Sequence, residues 1–155
     1  MKTCWTTVGT LALMLLASQL VAHRGLAAKD AAKTGKEEKK FRFVSLTIAG
    51  KPLEKDDLKD MILVIKGDLG TVFKDGKEVV TATSKIDKGQ KPWTIDLTMT
   101  SGEKKDITMK GILEMKDSRM RVCMAKEGGP RPTEFSSTEE NGQILEVLEE
   151  IKGKK

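Results

Sequence analysis

The sequence predicts an all-β protein, an antiparallel up-and-down barrel of about eight strands. Apolar and polar residues alternate along many short segments, and turn residues separate these segments. Each connection looks too short for the crossover helix that parallel pairing needs, so consecutive strands should pair as antiparallel neighbours. Closing such a meander on itself removes its exposed edges, and a two-sheet sandwich is the alternative.

The first half of the domain carries four candidate strands. A strict two-residue period along the first would place Phe41 and Phe43 on one face and Leu46 on the other. Further along, Asp75 and Gly76 separate two candidate strands. Both residues tolerate the positive φ of a type I′ turn, which predicts a hairpin there. The four strands are expected over residues 41–48, 61–65, 71–74 and 77–86.

Three clear strands and one ambiguous element fill the second half. Trp93 and Met99 lie on the apolar face of the most regular strand, while Cys123 falls out of phase with the apolar residues around it. Residues 144–151 fit either helical spacing or an edge strand, and we favour the strand. A polar segment earlier in the chain, 54–60, indicates one or two helical turns. The three clear strands are expected over residues 93–99, 107–115 and 119–124.

The amino terminus has the pattern of a secretory signal peptide. Lys2 provides a positive start, the uncharged stretch 8–22 follows, and Gly25 and Ala27 form a small-x-small cleavage site. The apolar stretch is shorter than the roughly 20 residues that a transmembrane helix needs. We therefore expect residues 1–27 to be removed and the protein to be exported to the periplasm or the exterior, with no stable membrane span after cleavage.

Cleavage would change the chemistry of the chain. It would remove His23, Cys4 and two basic residues, leaving 26 Lys and Arg against 23 Asp and Glu. The two charge signs are mixed along the sequence, which indicates a solvated surface and predicts no nucleic-acid partner. Composition and size predict one domain. The expected parts are a flexible charged linker over 28–40, a barrel domain over 41–151 and a basic tail over 152–155.

No catalytic, metal or cofactor site is expected. A Ser-His-Asp triad, a Cys-His pair and histidine-ligated zinc all need an imidazole, and the chain after residue 27 has none. The carboxylates between Glu54 and Asp60 lack the spacing and central glycine of a calcium loop. These observations favour a protein that is not an enzyme.

Four segments are GKPL (50–53), KGD (66–68), KPWTIDLT (91–98) and RPTEFSS (131–137). Together they resemble an uncharacterised lipocalin-like family of exported domains, abundant in planctomycete bacteria. The resemblance covers roughly residues 40–150 and implies a barrel fold and export, but it brings no activity, ligand or catalytic residue. Lipocalins carry a Gly-x-Trp plug near the start of the first strand; here Phe41 stands at the tryptophan position, the glycine is missing, and Phe would fill only part of that space.

Six residues are candidate ligand contacts. Methionine adapts to irregular shapes, and eight strands enclose room for one small ligand, although core packing is the alternative role for the methionines and the tryptophan. An arginine between two prolines could contact a ligand, stack over an aromatic ring or pair with Glu134. The leading hypothesis is a binding module for a small apolar or amphipathic molecule. The alternative is a non-catalytic structural or protein-interaction module of the cell envelope. The six candidates are Trp93, Met99, Met109, Met120, Arg131 and Phe135.

Overall fold

The computed structural model describes residues 37–153. The predicted signal peptide (1–27), the first part of the predicted linker (28–36) and the last two residues of the predicted tail lie outside the described residues. Nine strands and one helical turn form within the described range. They are β1 (Glu38–Ile48), β2 (Lys51–Pro52), α1 (Lys55–Leu58), β3 (Met61–Lys66), β4 (Leu69–Lys74), β5 (Lys77–Asp87), β6 (Trp93–Met99), β7 (Thr108–Lys116), β8 (Arg119–Met124) and β9 (Ile144–Glu150).

Eight of the strands form a closed antiparallel barrel. Each of them pairs with its neighbours in chain order, and β1 pairs with both β3 and β9, so the sheet has no free edge between first and last strand. The short β2 is an extra strand attached to the end of β1. The predicted up-and-down barrel is therefore confirmed, and the two-sheet sandwich is wrong because one continuous sheet closes on itself.

β1 differs from the sequence prediction in its start and its phase. It begins at Glu38 because Lys39 and Lys40 make ladder pairs with β3, although their charged side chains had suggested a linker. A bulge at Val44 then shifts the register between Phe43 and Ser45. The extra residue places Leu46 (8% exposed) on the same inner face as Phe41 and Phe43, which a strict two-residue period had separated.

The predicted hairpin turn and the predicted last strand are both confirmed, and the polar segment 54–60 contributes to the core. Asp75 and Gly76 have φ values of 51° and 73°, as the hairpin between β4 and β5 requires. Residues 144–150 form a strand, β9. The helical turn α1 inserts Leu58, 5% exposed, into the barrel core at the end where β1 ends and β3 begins.

A long connection, residues 125–143, joins β8 to β9 and covers part of the outer face of the barrel. Beneath it lies Cys123, fully buried, whose thiol donates a hydrogen bond to the Ser136 carbonyl at 3.3 Å. The Ser137 hydroxyl donates to the Gln143 carbonyl at 2.6 Å and accepts from the Gly50 amide at 3.1 Å. The bonds of Cys123 and Gly50 tie the connection to the barrel, while the bond between Ser137 and Gln143 lies within the connection. Burial raises the pKa of the Cys123 thiol.

The interior is dense on one side and roomier on the other. A Cβ atom added to Gly111 on β7 would meet the Met124 sulfur at 2.3 Å and the Cys123 carbonyl oxygen at 2.7 Å. At Gly70 on β4, by contrast, the nearest atom would be Leu63 Cδ1, at an ordinary contact distance of 3.5 Å. Only glycine fits against β8, whereas space remains beside β4.

Two glycine-to-alanine substitutions test this difference in packing. Gly111→Ala should destabilise the protein by about 1–3 kcal/mol, because the added methyl group overlaps a backbone oxygen and a packed side chain. Gly70→Ala should leave stability unchanged or raise it by up to about 1 kcal/mol, because the methyl group meets no obstacle and the unfolded chain loses freedom. Urea unfolding of both variants measures the effect, and equal losses would contradict the packing difference.

Candidate functional site

The candidate site is a cavity inside the barrel. Its volume is about 190 Å³, and every one of the eight barrel strands contributes to its wall. The wall is mostly apolar, as expected for a site that excludes water from a small guest. Its lining residues are Phe43, Leu63, Ile65, Gly67, Gly70, Val72, Val80, Ala82, Ser84, Ile86, Ile95, Leu97, Met99, Leu113, Met120, Val122 and Glu146.

The cavity exists because two neighbouring strands present small side chains to the interior. Gly70 on β4 pairs with Ala82 on β5, and Ser84 is the next inward residue along β5. The strands across the barrel present Phe43 and Met120, which do not reach far enough to fill this space. The empty volume therefore follows from the distribution of side-chain sizes around the sheet.

The cavity reaches the surface near the turn between β3 and β4. Ile86, at the end of β5, lines the cavity and is 41% exposed. Gly67, in the turn itself, also lines it and is exposed. The turn between β3 and β4 and the end of β5 therefore mark where a small molecule could reach the cavity from the surface.

A single carboxylate lies in the cavity wall. Glu146 sits at the centre of β9, where it is paired with Leu46 on β1 and Val122 on β8, both of which face the core. The Glu146 side chain therefore points into the barrel and lines the cavity. Within residues 37–153 no hydrogen bond or ion pair involves its carboxyl group.

The surroundings of Glu146 disfavour its charged form. Its remaining accessible surface faces the cavity, where apolar side chains and no compensating cation surround it. Removal from water raises the pKa of Glu146 to about 7. A carboxyl group that titrates near neutral pH inside an apolar cavity is a recognised mark of a functional site.

The three candidate methionines have different positions. Met99 on β6 and Met120 on β8 both line the cavity. Met109 on β7 is 4% exposed and packs within the core without lining the cavity. The structure therefore brings two of the three together at one site, and the third has the core-packing role that was its alternative.

Trp93 and Phe135 do not line the cavity. They contribute to a groove of about 380 Å³ with Leu113. The Lys88 ammonium lies 4.8 Å from the centre of the Trp93 ring, and the Arg121 guanidinium lies 4.2 Å from that of Phe135. Cation–π contacts therefore already occupy one face of each ring.

Arg131 anchors the long connection to the sheet. One guanidinium nitrogen donates to the Ile95 carbonyl at 2.9 Å and to the Gly111 carbonyl at 2.7 Å, and the other donates to Asp96 at 2.7 Å. Its ion-pair partner is thus Asp96 and not Glu134, whose carboxylate accepts from the Ser136 hydroxyl. The arrangement makes Arg131 a structural residue that holds residues 125–143 against β6 and β7.

A larger but shallower groove lies on the outer face beside the turn between β7 and β8, with a volume of about 560 Å³. Two of its charged side chains are already paired, since Arg121 lies 3.7 Å from Glu114 and Arg119 lies 3.8 Å from Glu149. We therefore favour the interior cavity as the candidate site. Across residues 37–153, no group of three or more His, Cys, Asp or Glu side chains converges to hold a metal ion.

Neither Glu146 nor the small residues on β4 and β5 were predicted as site residues from the sequence. A signal for Glu146 was available, because a two-residue period through 144–150 places it between Ile144 and Leu148 on one face. That period was obscured by an equally good fit to helical spacing. The small residues carried no local signal, because a cavity depends on side chains from several strands.

Comparisons with protein-family models, with curated proteins and with solved structures find no match for this chain. The lipocalin-like family therefore stays a prediction, while the barrel itself is observed. In the part of the chain that the structure describes, helical structure is limited to the single turn α1, and no helix there could cross a membrane.

Replacing Glu146 with Gln should change the pH dependence of stability. The pKa of Glu146 is about 7 in the folded protein and near 4.5 in the unfolded chain, so its stabilising contribution is present below pH 4.5 and is lost as the pH rises through 7. Gln does not ionise. Glu146→Gln should therefore match the parent near pH 4.5 and exceed it by up to about 3 kcal/mol near pH 8.5 in urea unfolding.

Glu149→Gln is the matched control, because Glu149 is on the same strand but on the outer face. Arg42, which donates a hydrogen bond to it, lowers the pKa of Glu149, and Arg119 adds a smaller effect. Its stabilising contribution is therefore present above its ordinary pKa and is lost on acidification. This variant should be less stable than the parent near neutral pH and approach it in acid, opposite in sign to Glu146→Gln. If the stability of both variants changed with pH in the same direction relative to the parent, the inward placement of Glu146 would be contradicted.

Arg131→Lys should destabilise the protein by about 2 kcal/mol, because an ammonium group cannot reproduce the planar set of donors that Arg131 uses. Arg119→Lys is the control, since Arg119 is largely exposed and its change should be within about 0.5 kcal/mol. Urea unfolding measures both, and limited proteolysis should detect earlier cleavage within 125–143 in the first variant. Equal stability of the two variants would contradict the anchoring role.

Proposed function

We propose that this protein is an exported binding module that holds a small apolar or amphipathic molecule inside its barrel. The interior cavity is the single observation that supports the proposal best. Its wall combines apolar side chains from all eight strands with one carboxylate, which is the composition of many small-molecule sites. The proposal assigns the protein no catalytic role and no cofactor.

The cost of leaving the cavity empty favours a guest. A residual void destabilises a protein by about 24 cal/mol per Å³, so 190 Å³ corresponds to about 5 kcal/mol. This is a large part of the 5–15 kcal/mol that typically separates folded from unfolded proteins. A bound molecule would restore the missing contacts without any change in the fold.

The size of the cavity limits what can bind. An apolar cavity of about 150 Å³ accepts benzene, so a cavity of 190 Å³ suits a molecule of about seven or eight non-hydrogen atoms. Large lipids, retinoids and haem would need the barrel to expand. The expected cargo is therefore small, and the signal-like amino terminus supports a role in the periplasm or outside the cell.

The alternative function, a structural or interaction module of the envelope, has its own supporting observation. On the outer face, Ile62 on β3 is paired with Phe73 on β4, and both retain accessible surface. Val44, at the bulge in β1, is 41% exposed. Apolar side chains on an outer face can contact another protein.

Ala82→Leu tests the proposed function. Its longer side chain should fill the space beside Gly70 and weaken binding of a small apolar probe such as toluene by tenfold or more, measured by calorimetric titration. Thr83→Leu, one residue along on the outer face of β5, should leave toluene binding unchanged. The parent protein purified from a mild lysate should also show a reproducible excess mass in native mass spectrometry that denaturation removes. Absence of both the bound mass and toluene binding would refute the carrier function.

A further inference from the structure

Within residues 37–153, Glu146 is the one ionisable group in the wall of a mostly apolar cavity. The strand neighbours that flank it are Leu46 and Val122, and neither can neutralise a carboxylate. Among the described lining residues, Glu146 is the only titratable one. The only other polar side chain in the wall is Ser84, whose hydroxyl already donates to the Asp68 carbonyl at 3.1 Å.

The carboxylate therefore has unused capacity to accept hydrogen bonds, and the cavity is the space that it faces. Burying a charged group without a partner is strongly unfavourable, and the protein supplies no partner from β1, β8 or the rest of the described wall. A guest that brought a positive charge to this position would remove the penalty. A purely apolar guest would leave it in place.

We propose that the cavity is selective for small organic amines, with the ammonium group paired to Glu146 and the apolar body in the space beside Gly70 and Ala82. This inference rests on the proposed carrier function and specifies its ligand class. The geometry matches the shape of such a molecule, because the carboxylate is on β9 and the small side chains are on β4 and β5. The ammonium end of the guest would thus contact β9, and its apolar end would contact β4 and β5.

An amine is favoured over an alcohol or a carboxylic acid of the same size. An ammonium group donates up to three hydrogen bonds and pairs with the ionised carboxylate, whereas an alcohol donates one and carries no charge. A second carboxylate would be repelled by ionised Glu146 unless at least one of the two groups held a proton. The amine is the only one of the three that gains from the full charge of Glu146.

Three probes of nearly equal size test the selectivity: benzylamine, benzyl alcohol and toluene. Calorimetric titrations near pH 8 would use the protein purified from cells that express the full chain. Benzylamine should bind at least about tenfold more tightly to the parent than to Glu146→Gln, because the charged pair is lost. The affinities of the two proteins for toluene should agree within about twofold, which would also show that the cavity of the variant is intact.

The dependence on pH provides a second readout. Burial raises the pKa of Glu146 to about 7, so a protein free of ligand holds a proton there in mild acid. The described strands packed against it present no other titratable group to it. Benzylamine must displace this proton, and its affinity for the parent should fall about 30-fold from pH 8 to pH 5.5. The affinity of Glu146→Gln for benzylamine should stay nearly constant over this range.

The outcomes separate the two proposals. Tight toluene binding with no effect of Glu146→Gln on benzylamine would overturn the amine inference and leave the carrier function standing. Equal affinity of the parent for benzyl alcohol and benzylamine would also overturn it. Failure of all three probes to bind the parent would refute the carrier function itself.

Discussion

The pairing of β9 with β1 determines the rest of the structure. It converts a linear meander into a closed sheet and leaves every barrel strand with a neighbour on both sides. The bulge at Val44 is part of this closure, because it bends β1 and restores the inward direction of Leu46. On the outer face, Glu149 interacts with both Arg42 on β1 and Arg119 on β8, so charged side chains bridge the same three strands.

Closure also fixes which residues of β9 face inward. In a strand, a shift of one residue moves every side chain to the opposite face, so the register that turns Ile144 and Leu148 inward necessarily turns Glu146 inward as well. The barrel thus accepts one unfavourable side chain as part of an otherwise favourable pairing. Polar groups in such positions reduce stability but give a binding site its chemical selectivity.

The sequence predicted the barrel well because its main signals are local. Alternation along 93–99 and the Asp75-Gly76 turn depend only on adjacent residues, and both agree with the structure. The partners of Arg131 depend on contacts between residues far apart in the chain, which spacing cannot reveal. The same limitation applies to the cavity and to Glu146. The cavity depends on small side chains that lie on paired strands, and the inward direction of Glu146 depends on which residues of β9 face the interior.

The internal cavity also affects how the molecule responds to hydrostatic pressure. Voids disappear when a chain unfolds, so unfolding reduces the volume of the system, typically by 20 to 100 mL/mol in proteins. A barrel with an empty space of about 190 Å³ is compressible on the side of β4 and β5 and rigid where Gly111 meets β8. Compression would therefore act first on the half of the sheet that lines the cavity, and any molecule bound there would stiffen it.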